Sequence, residues 1–89
     1  MKAVVSVLGK DCCGILANVS NEVAKANGNI LEVSQNIMQE MFVMIMMVDI
    51  SHLSVEFKDF VTHMATYGEE HNLKIHVMHQ DIFNSMHRI

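Results

Sequence analysis

A chain of 89 residues with a formal net charge of −4 has the size of one small domain. Its six Lys and Arg residues are scattered, which excludes the basic patch that a nucleic-acid-binding protein needs. The apolar runs are far shorter than the roughly 20 residues of a membrane span, and Met1-Lys2 leads into a strand pattern without a signal peptide. The two cysteines are adjacent, so they give no disulfide framework and indicate a reducing cytoplasm.

The first half of the chain has the pattern of a strand, a helix and a second strand. Alternating valines predict the first strand over Lys2–Leu8. Apolar residues at three- and four-residue spacing predict a helix over Gly14–Asn27, which Gly28 would end in a left-handed conformation. The second strand is predicted from Ile30 to about Gln39, and its imperfect alternation predicts that a β-bulge can occur within it.

The third predicted strand, Met41–Ile50, is apolar on both faces, which indicates that both faces are covered. A hydrophobic fraction of 51% is high for a small soluble domain, so one covering surface is expected to be a second copy. We expect Met44 and Met46 to lie on the face that the second copy covers. A charge at either position is then expected to dissociate or aggregate the protein.

The rest of the chain predicts a helix, a strand and a short helix. Ser51 and Ser54 are the candidate N-caps of a helix over Leu53–His71, and Gly68 is expected to loosen its end. The fourth strand is predicted over Leu73–His79. Asp81 can then cap a short last helix.

The predicted order is βαββαβ with a small C-terminal helix, in a single domain over residues 1–89. Right-handed crossovers on this order give an α+β, ferredoxin-like sandwich. Its four-stranded antiparallel sheet has two helices on one face and a short C-terminal helix. The opposite face is left open, and sheet-to-sheet packing or edge pairing in a dimer is expected to cover it.

The loop between the first strand and the first helix is the best candidate for a functional site. A glycine-bracketed loop that opens a helix presents unpaired N–H groups and the positive end of the helix dipole, where a carboxylate can bind. Gly9 and Gly14 have the spacing of a nucleotide-binding P-loop, but Ile15 and Leu16 follow where Lys and Ser or Thr are required. No nucleophile has an evident base and orienting group, so the sequence predicts a non-enzymatic protein without a cofactor.

Three features of the chain resemble the ACT domain, a small regulatory module that senses amino acids. They are the first strand leading into Gly9–Leu16, the helix end Asn27–Ile30, and Ser34-Gln35 before a hairpin into an apolar strand. The tail Asp81–Ile89 is similar to that of uncharacterised stand-alone ACT proteins of microbes. The resemblance extends over about the whole chain.

The resemblance implies a function and a set of site residues. It implies an amino-acid ligand at a homodimer or tetramer junction, and an enzyme or regulator controlled in trans. The first-turn N–H groups would hold the α-carboxylate, and Asp11 would pair with the α-ammonium. Cys12 and Cys13 stand where the family often has polar or small residues. The implied ligand-binding residues are Asp11, Cys12, Cys13, Gly14, Ile15 and Leu16, with Asn29 and Ile30 opposite.

The sequence is also consistent with two other classes of function. One is an interaction module whose dimer surface docks another protein without a ligand. The other is a metal or redox module through Cys12 and Cys13, because a helix N-terminus can lower the pKa of a thiol. Adjacent cysteines point apart, however, and the six histidines show no zinc spacing, so no metal site is predicted.

Overall fold

A computed structural model describes residues 1–10 and 14–86 as four strands and three helices. The elements are β1 (Lys2–Gly9), α1 (Ile15–Lys25), β2 (Asn29–Met38), β3 (Met41–Asp49), α2 (Phe57–Glu70), β4 (Lys74–His79) and α3 (Gln80–Met86). The strands form one sheet in the order β2-β3-β1-β4, and every neighbouring pair is antiparallel. The predicted ferredoxin-like fold is therefore confirmed.

The core lies between one face of the sheet and the apolar stripes of α1 and α2. The register of β1 and β3 places Val5 opposite Met46 and Val7 opposite Met44, so these four side chains share the helix-covered face. Met44 and Met46 are fully buried there. The expectation that they face a second copy is wrong, because a strand apolar on both faces does not reveal which row the helices cover.

The opposite face of the sheet carries the other row of β3. Met41, Val43 and Met47 are half-buried there, and Ile45 is exposed. This face is not wholly open, since α3 contacts β1 and β4 and Val4, which points away from the main core, is only 1% exposed. The short last helix therefore covers part of the face that was expected to stay open.

Several element ends differ from the sequence-based expectation. Helix α2 begins at Phe57, four residues later than predicted, with Glu56 as an extended N-cap that makes no side-chain hydrogen bond. Ser51 is not a helix cap, because its N–H donates to Asp49 Oδ1 at 2.9 Å and closes a turn after β3. This hydrogen bond lowers the pKa of Asp49. After α1 the left-handed residue is Asn27 (φ 63°), not Gly28.

The β2–β3 pair contains the irregularity that the sequence predicted. Its register shifts between Ile30 and Glu32, which confirms the β-bulge and restores the alternation of the strand. Beyond the bulge every residue of β2 is exposed, and β2 is one of the two edge strands of the sheet. The strand therefore presents one unpaired backbone edge to its surroundings.

The two-residue β2–β3 turn is strained and predicts a stabilising substitution. Gln39 (φ 50°) and Glu40 (φ 69°) both occupy the left-handed region that a type I′ turn requires and that such side chains disfavour. Replacing the pair with Asn-Gly is expected to raise the free energy of unfolding by about 1–2 kcal/mol. Urea denaturation checks this, and an unchanged or lower midpoint would contradict the turn geometry.

Candidate functional site

The candidate site lies at the end of the sheet where β1 leads towards α1. Gly9, the last residue of β1, pairs with Phe42 at the start of β3. Gly14 precedes α1 in the left-handed conformation (φ 74°) that a glycine adopts without strain, and it is exposed. Gly14 has no side chain that could cap α1, and N–H groups in the first turn of a helix are the kind of donor that binds an anion.

The structure places the predicted loop residues in different environments. Asp11, Cys12 and Cys13 lie outside the described residues. Ile15 is 5% exposed and belongs to the hydrophobic core, while Leu16 is 36% exposed on the surface of α1. Of the three described residues that the resemblance places at this end of the site, Gly14 and Leu16 are therefore the exposed ones.

Asn29 and Ile30 lie at the other end of the sheet. Asn29 pairs with Asp49, which in turn pairs with Lys2 at the beginning of β1. The 11 residues of α1 separate this end from Gly14, a distance of about 16 Å along the helix. Within one copy the structure does not bring these two groups together.

A groove of about 920 Å³ lies on the α2 side of the same loop. Of the predicted site residues only Ile15 is among its described lining residues. Sequence reasoning missed the others that bear polar groups: Lys10, Asn18, Tyr67, Glu69, His71, Asn72 and Lys74. The spacing of Tyr67 and His71 is a detectable signal, because residues four apart meet on one helix face. The proximity of Lys10 and Lys74 follows only from the strand order.

One buried carboxylate joins the two main helices away from the loop. Glu22 of α1 is 8% exposed, accepts a hydrogen bond from His63 Nε2 of α2 at 2.7 Å, and forms an ion pair with Lys25 Nζ at 3.1 Å. The His63 hydrogen bond is the main cause that lowers the pKa of Glu22 below its ordinary 4.5. Glu22 lies beside a small cavity that Asp59 also lines.

The lowered pKa predicts an acid-dependent stability. Because the folded state favours ionised Glu22, its contribution is complete above about pH 4.5 and is lost as the pH falls through the lowered pKa. Glu22→Gln is expected to cost about 1 kcal/mol at pH 7 and to reduce the acid-dependent loss of stability. Urea denaturation at several pH values checks this, with exposed Glu70→Gln as the control. An identical pH profile for Glu22→Gln and wild type would contradict the role of the pair.

The described residues contain neither a metal-binding cluster nor a helix that could span a membrane. Among the side chains that the structure describes, no three His, Cys, Asp or Glu residues lie together so that they could hold a metal ion. Cys12 and Cys13 are outside this set, so the thiol hypotheses remain predictions. No helix within the described ranges is long and apolar enough to cross a membrane.

The fold defines a class, the small ferredoxin-like βαββαβ domains, and comparison with known proteins identifies the family. The sequence model of the ACT domain matches residues 2–78. A UPF0237 protein of Listeria innocua is 48% identical over 89 residues, with full coverage of both chains. A UPF0237 protein of Methanocaldococcus jannaschii is 47% identical over 88 residues and covers 99% of this chain and 98% of its own.

Solved structures agree with this result. An ACT domain protein from Streptococcus pneumoniae has a TM-score of 0.83 and 35% identity, and 93% of each chain is covered. A formyltetrahydrofolate deformylase from Pseudomonas syringae has a TM-score of 0.76 and 25% identity over 88% of this chain and 27% of its own. The chain belongs to the ACT domain family, whose members commonly bind amino acids in regulatory roles.

Proposed function

We propose that this chain is a non-enzymatic regulatory module of the cytoplasm that binds a free amino acid beside the loop before α1, where two copies meet. It works in trans, by controlling an enzyme or regulator according to the occupancy of that site. Family membership supports the ligand class, and the exposed Gly14 at the start of α1 supports the position of the α-carboxylate.

The observation that carries the proposal is the free edge of β2. Its ten residues are half-buried or exposed, and its outer backbone edge has no strand partner within the sheet. An edge of this kind pairs readily with the same edge of a second copy, and a two-fold axis makes that pairing antiparallel. Such a dimer has one continuous eight-stranded sheet.

Antiparallel pairing of the β2 edges also completes the predicted site. In one copy β2 begins at Asn29, at the end of the sheet opposite Gly14, and finishes at Met38 near the loop end. Because β2 of the second copy runs in the opposite direction, its Asn29 and Ile30 lie at the loop end of the first copy. Residues that lie about 16 Å apart along α1 in one chain can then face each other across the dimer. Two equivalent sites result.

Ligand binding at this junction would act by a population shift. An amino acid that contacts both copies stabilises the arrangement of subunits in which its two half-sites meet. The enzyme or regulator that is controlled then recognises the surface that this arrangement of subunits presents. A tetramer is compatible with the same sites, because the row Met41, Val43, Ile45 and Met47 lies on another face of the sheet.

A mixing experiment tests whether the site is shared between copies. Gly14→Val puts a branched side chain at a positive φ beside the anion-binding turn, and Asn29→Ala removes an exposed polar group at the far end of one copy. Each variant alone is expected to lose stabilisation by the amino acid that stabilises the wild type. After refolding together, about a quarter of the wild-type sites should return, because half of the dimers are mixed and each has one intact site.

The control for the mixture is the double variant Gly14→Val, Asn29→Ala refolded with wild type. In those mixed dimers each of the two sites contains one substituted residue, Gly14→Val in one site and Asn29→Ala in the other. The only intact sites in the mixture are therefore expected to be those of the wild-type dimers. Failure of the two single variants to complement each other, with both remaining dimeric, would contradict a shared site.

The alternative function is a dimerisation module that docks another protein without a ligand. The exposed apolar side chains near the end of β2 favour it, since Ile37 is 64% exposed and Met38 is 59% exposed. Loss of partner binding on Ile37→Ser, with no response to any amino acid, would support this alternative.

A further inference from the structure

We infer that the groove on the α2 side of the loop is a second ligand site, which binds a small organic anion that carries a planar ring. The groove measures about 920 Å³, within the usual range of small-molecule sites. It lies on the opposite side of α1 from the β2 edge, because α1 contacts β2 while α2 contacts β4. It therefore needs no second copy, and the inference does not rest on the proposed function.

Two lysines supply the charge for an anion. Lys74 begins β4 opposite Leu8, and Lys10 follows two residues after Leu8, just beyond the end of β1. Both lysines line the groove. Neither ammonium group forms an ion pair with another described residue. Glu69 provides one carboxylate against these two positive charges among the described lining residues.

Two stacked rings supply a planar surface. The rings of Tyr67 and His71 have centroids 4.1 Å apart and an interplanar angle of 23°. His71 Nδ1 lies 2.8 Å from the Tyr67 carbonyl oxygen, so Nδ1–H donates to it and fixes the orientation of the imidazole. Tyr67 is half-buried and His71 is exposed, so the imidazole can receive another ring at little entropic cost.

The remaining lining defines the size and polarity of the ligand. Leu8, Ile15, Met41 and Leu73 contribute apolar lining to the groove, and the amides of Asn18 and Asn72 add donors and acceptors. A free anion such as phosphate would use the lysines alone, while a neutral ring would use the aromatic pair alone. The combination favours a molecule that has both parts.

Titration calorimetry with four probes tests this inference. Adenosine 5′-monophosphate and phenylpyruvate combine a ring with an anionic group, adenosine has the ring alone, and inorganic phosphate has the anion alone. At least one of the first two is expected to bind at least about tenfold more tightly than adenosine and phosphate. Lys74→Gln and His71→Ala should each weaken that binding by about tenfold, while Lys58→Gln, which alters an exposed lysine on the far end of α2, should leave it unchanged.

Three results would overturn the inference. The first is that neither adenosine 5′-monophosphate nor phenylpyruvate binds at about 10 mM. The second is that Lys74→Gln leaves the affinity for the bound probe unaltered. The third is that Lys58→Gln lowers this affinity as much as Lys74→Gln does. Asn29→Ala separates the two proposals, because it should abolish the response to an amino acid and leave the groove ligand bound. Loss of both responses in Asn29→Ala would show one site instead of two.

Discussion

Met44→Asp is expected to prevent folding, while Ile45→Asp, one residue further on, leaves the fold intact. Met44 is fully buried between β3 and the helices, where an ionised carboxylate has no partner. Burial of an unpaired charge costs about 5 kcal/mol, which approaches the whole stability of a small domain, roughly 5–15 kcal/mol. Circular dichroism should show an unfolded chain at 25 °C.

Ile45 is the matched control because it is the next residue of β3 and its side chain points to the opposite face of the sheet. It is 37% exposed and lies opposite Ser6 on β1 and Ser34 on β2. We expect Ile45→Asp to fold with a loss of no more than about 1 kcal/mol, and any effect to concern association of copies. A folded Met44→Asp protein, or an unfolded Ile45→Asp protein, would show that the two faces of β3 have been exchanged.

Gly68→Ala is expected to lower the melting temperature markedly, although alanine is the better helix former. A Cβ at position 68 would lie 2.8 Å from the carbonyl oxygen of Leu73 and 3.0 Å from Ile75 Cγ1. Helix propensity alone would stabilise the protein by about 1 kcal/mol. Separation of α2 from β4 should instead cost about 2–3 kcal/mol, which corresponds to a decrease of about 8–24 °C.

The control for this prediction is Ala65→Gly in the same helix. Ala65 is exposed, so only helix propensity changes, and the expected loss is about 1 kcal/mol. Differential scanning calorimetry distinguishes the two effects. A Gly68→Ala protein that melts above the wild type would mean that propensity decides and that the close approach of α2 to β4 is absent.

The sequence predicted the order and type of the elements because its periodicities are strong. The imperfect alternation of β2 allowed a bulge to be predicted within the strand, and the structure places it between Ile30 and Glu32. The start of α2 could not, because Leu53 has the correct helical spacing but packs against the core from a loop. Gly68 was expected to loosen α2, but it permits the contact between α2 and β4, and a contact between distant segments leaves no local pattern.

The candidate site was less predictable for a related reason. Gly14 could be recognised locally, because it follows a strand and opens a helix. The separation of Asn29 from Gly14, by contrast, depends on the direction of β2 within the sheet. Lys10, Tyr67 and Lys74 come together only when β1 and β4 are neighbours, and residue types alone do not determine strand order.

Thermal denaturation of the purified protein in the presence of each of the twenty amino acids tests whether the loop before α1 holds an amino acid. The matched control for a responding amino acid is its decarboxylated amine, which lacks the group that the first turn of α1 would hold. We expect a dose-dependent rise in melting temperature with one amino acid or a few related ones, no rise with the amine, and no rise in Gly14→Val. No response to any amino acid, or equal stabilisation of the wild type and Gly14→Val, would contradict an amino-acid site at this loop.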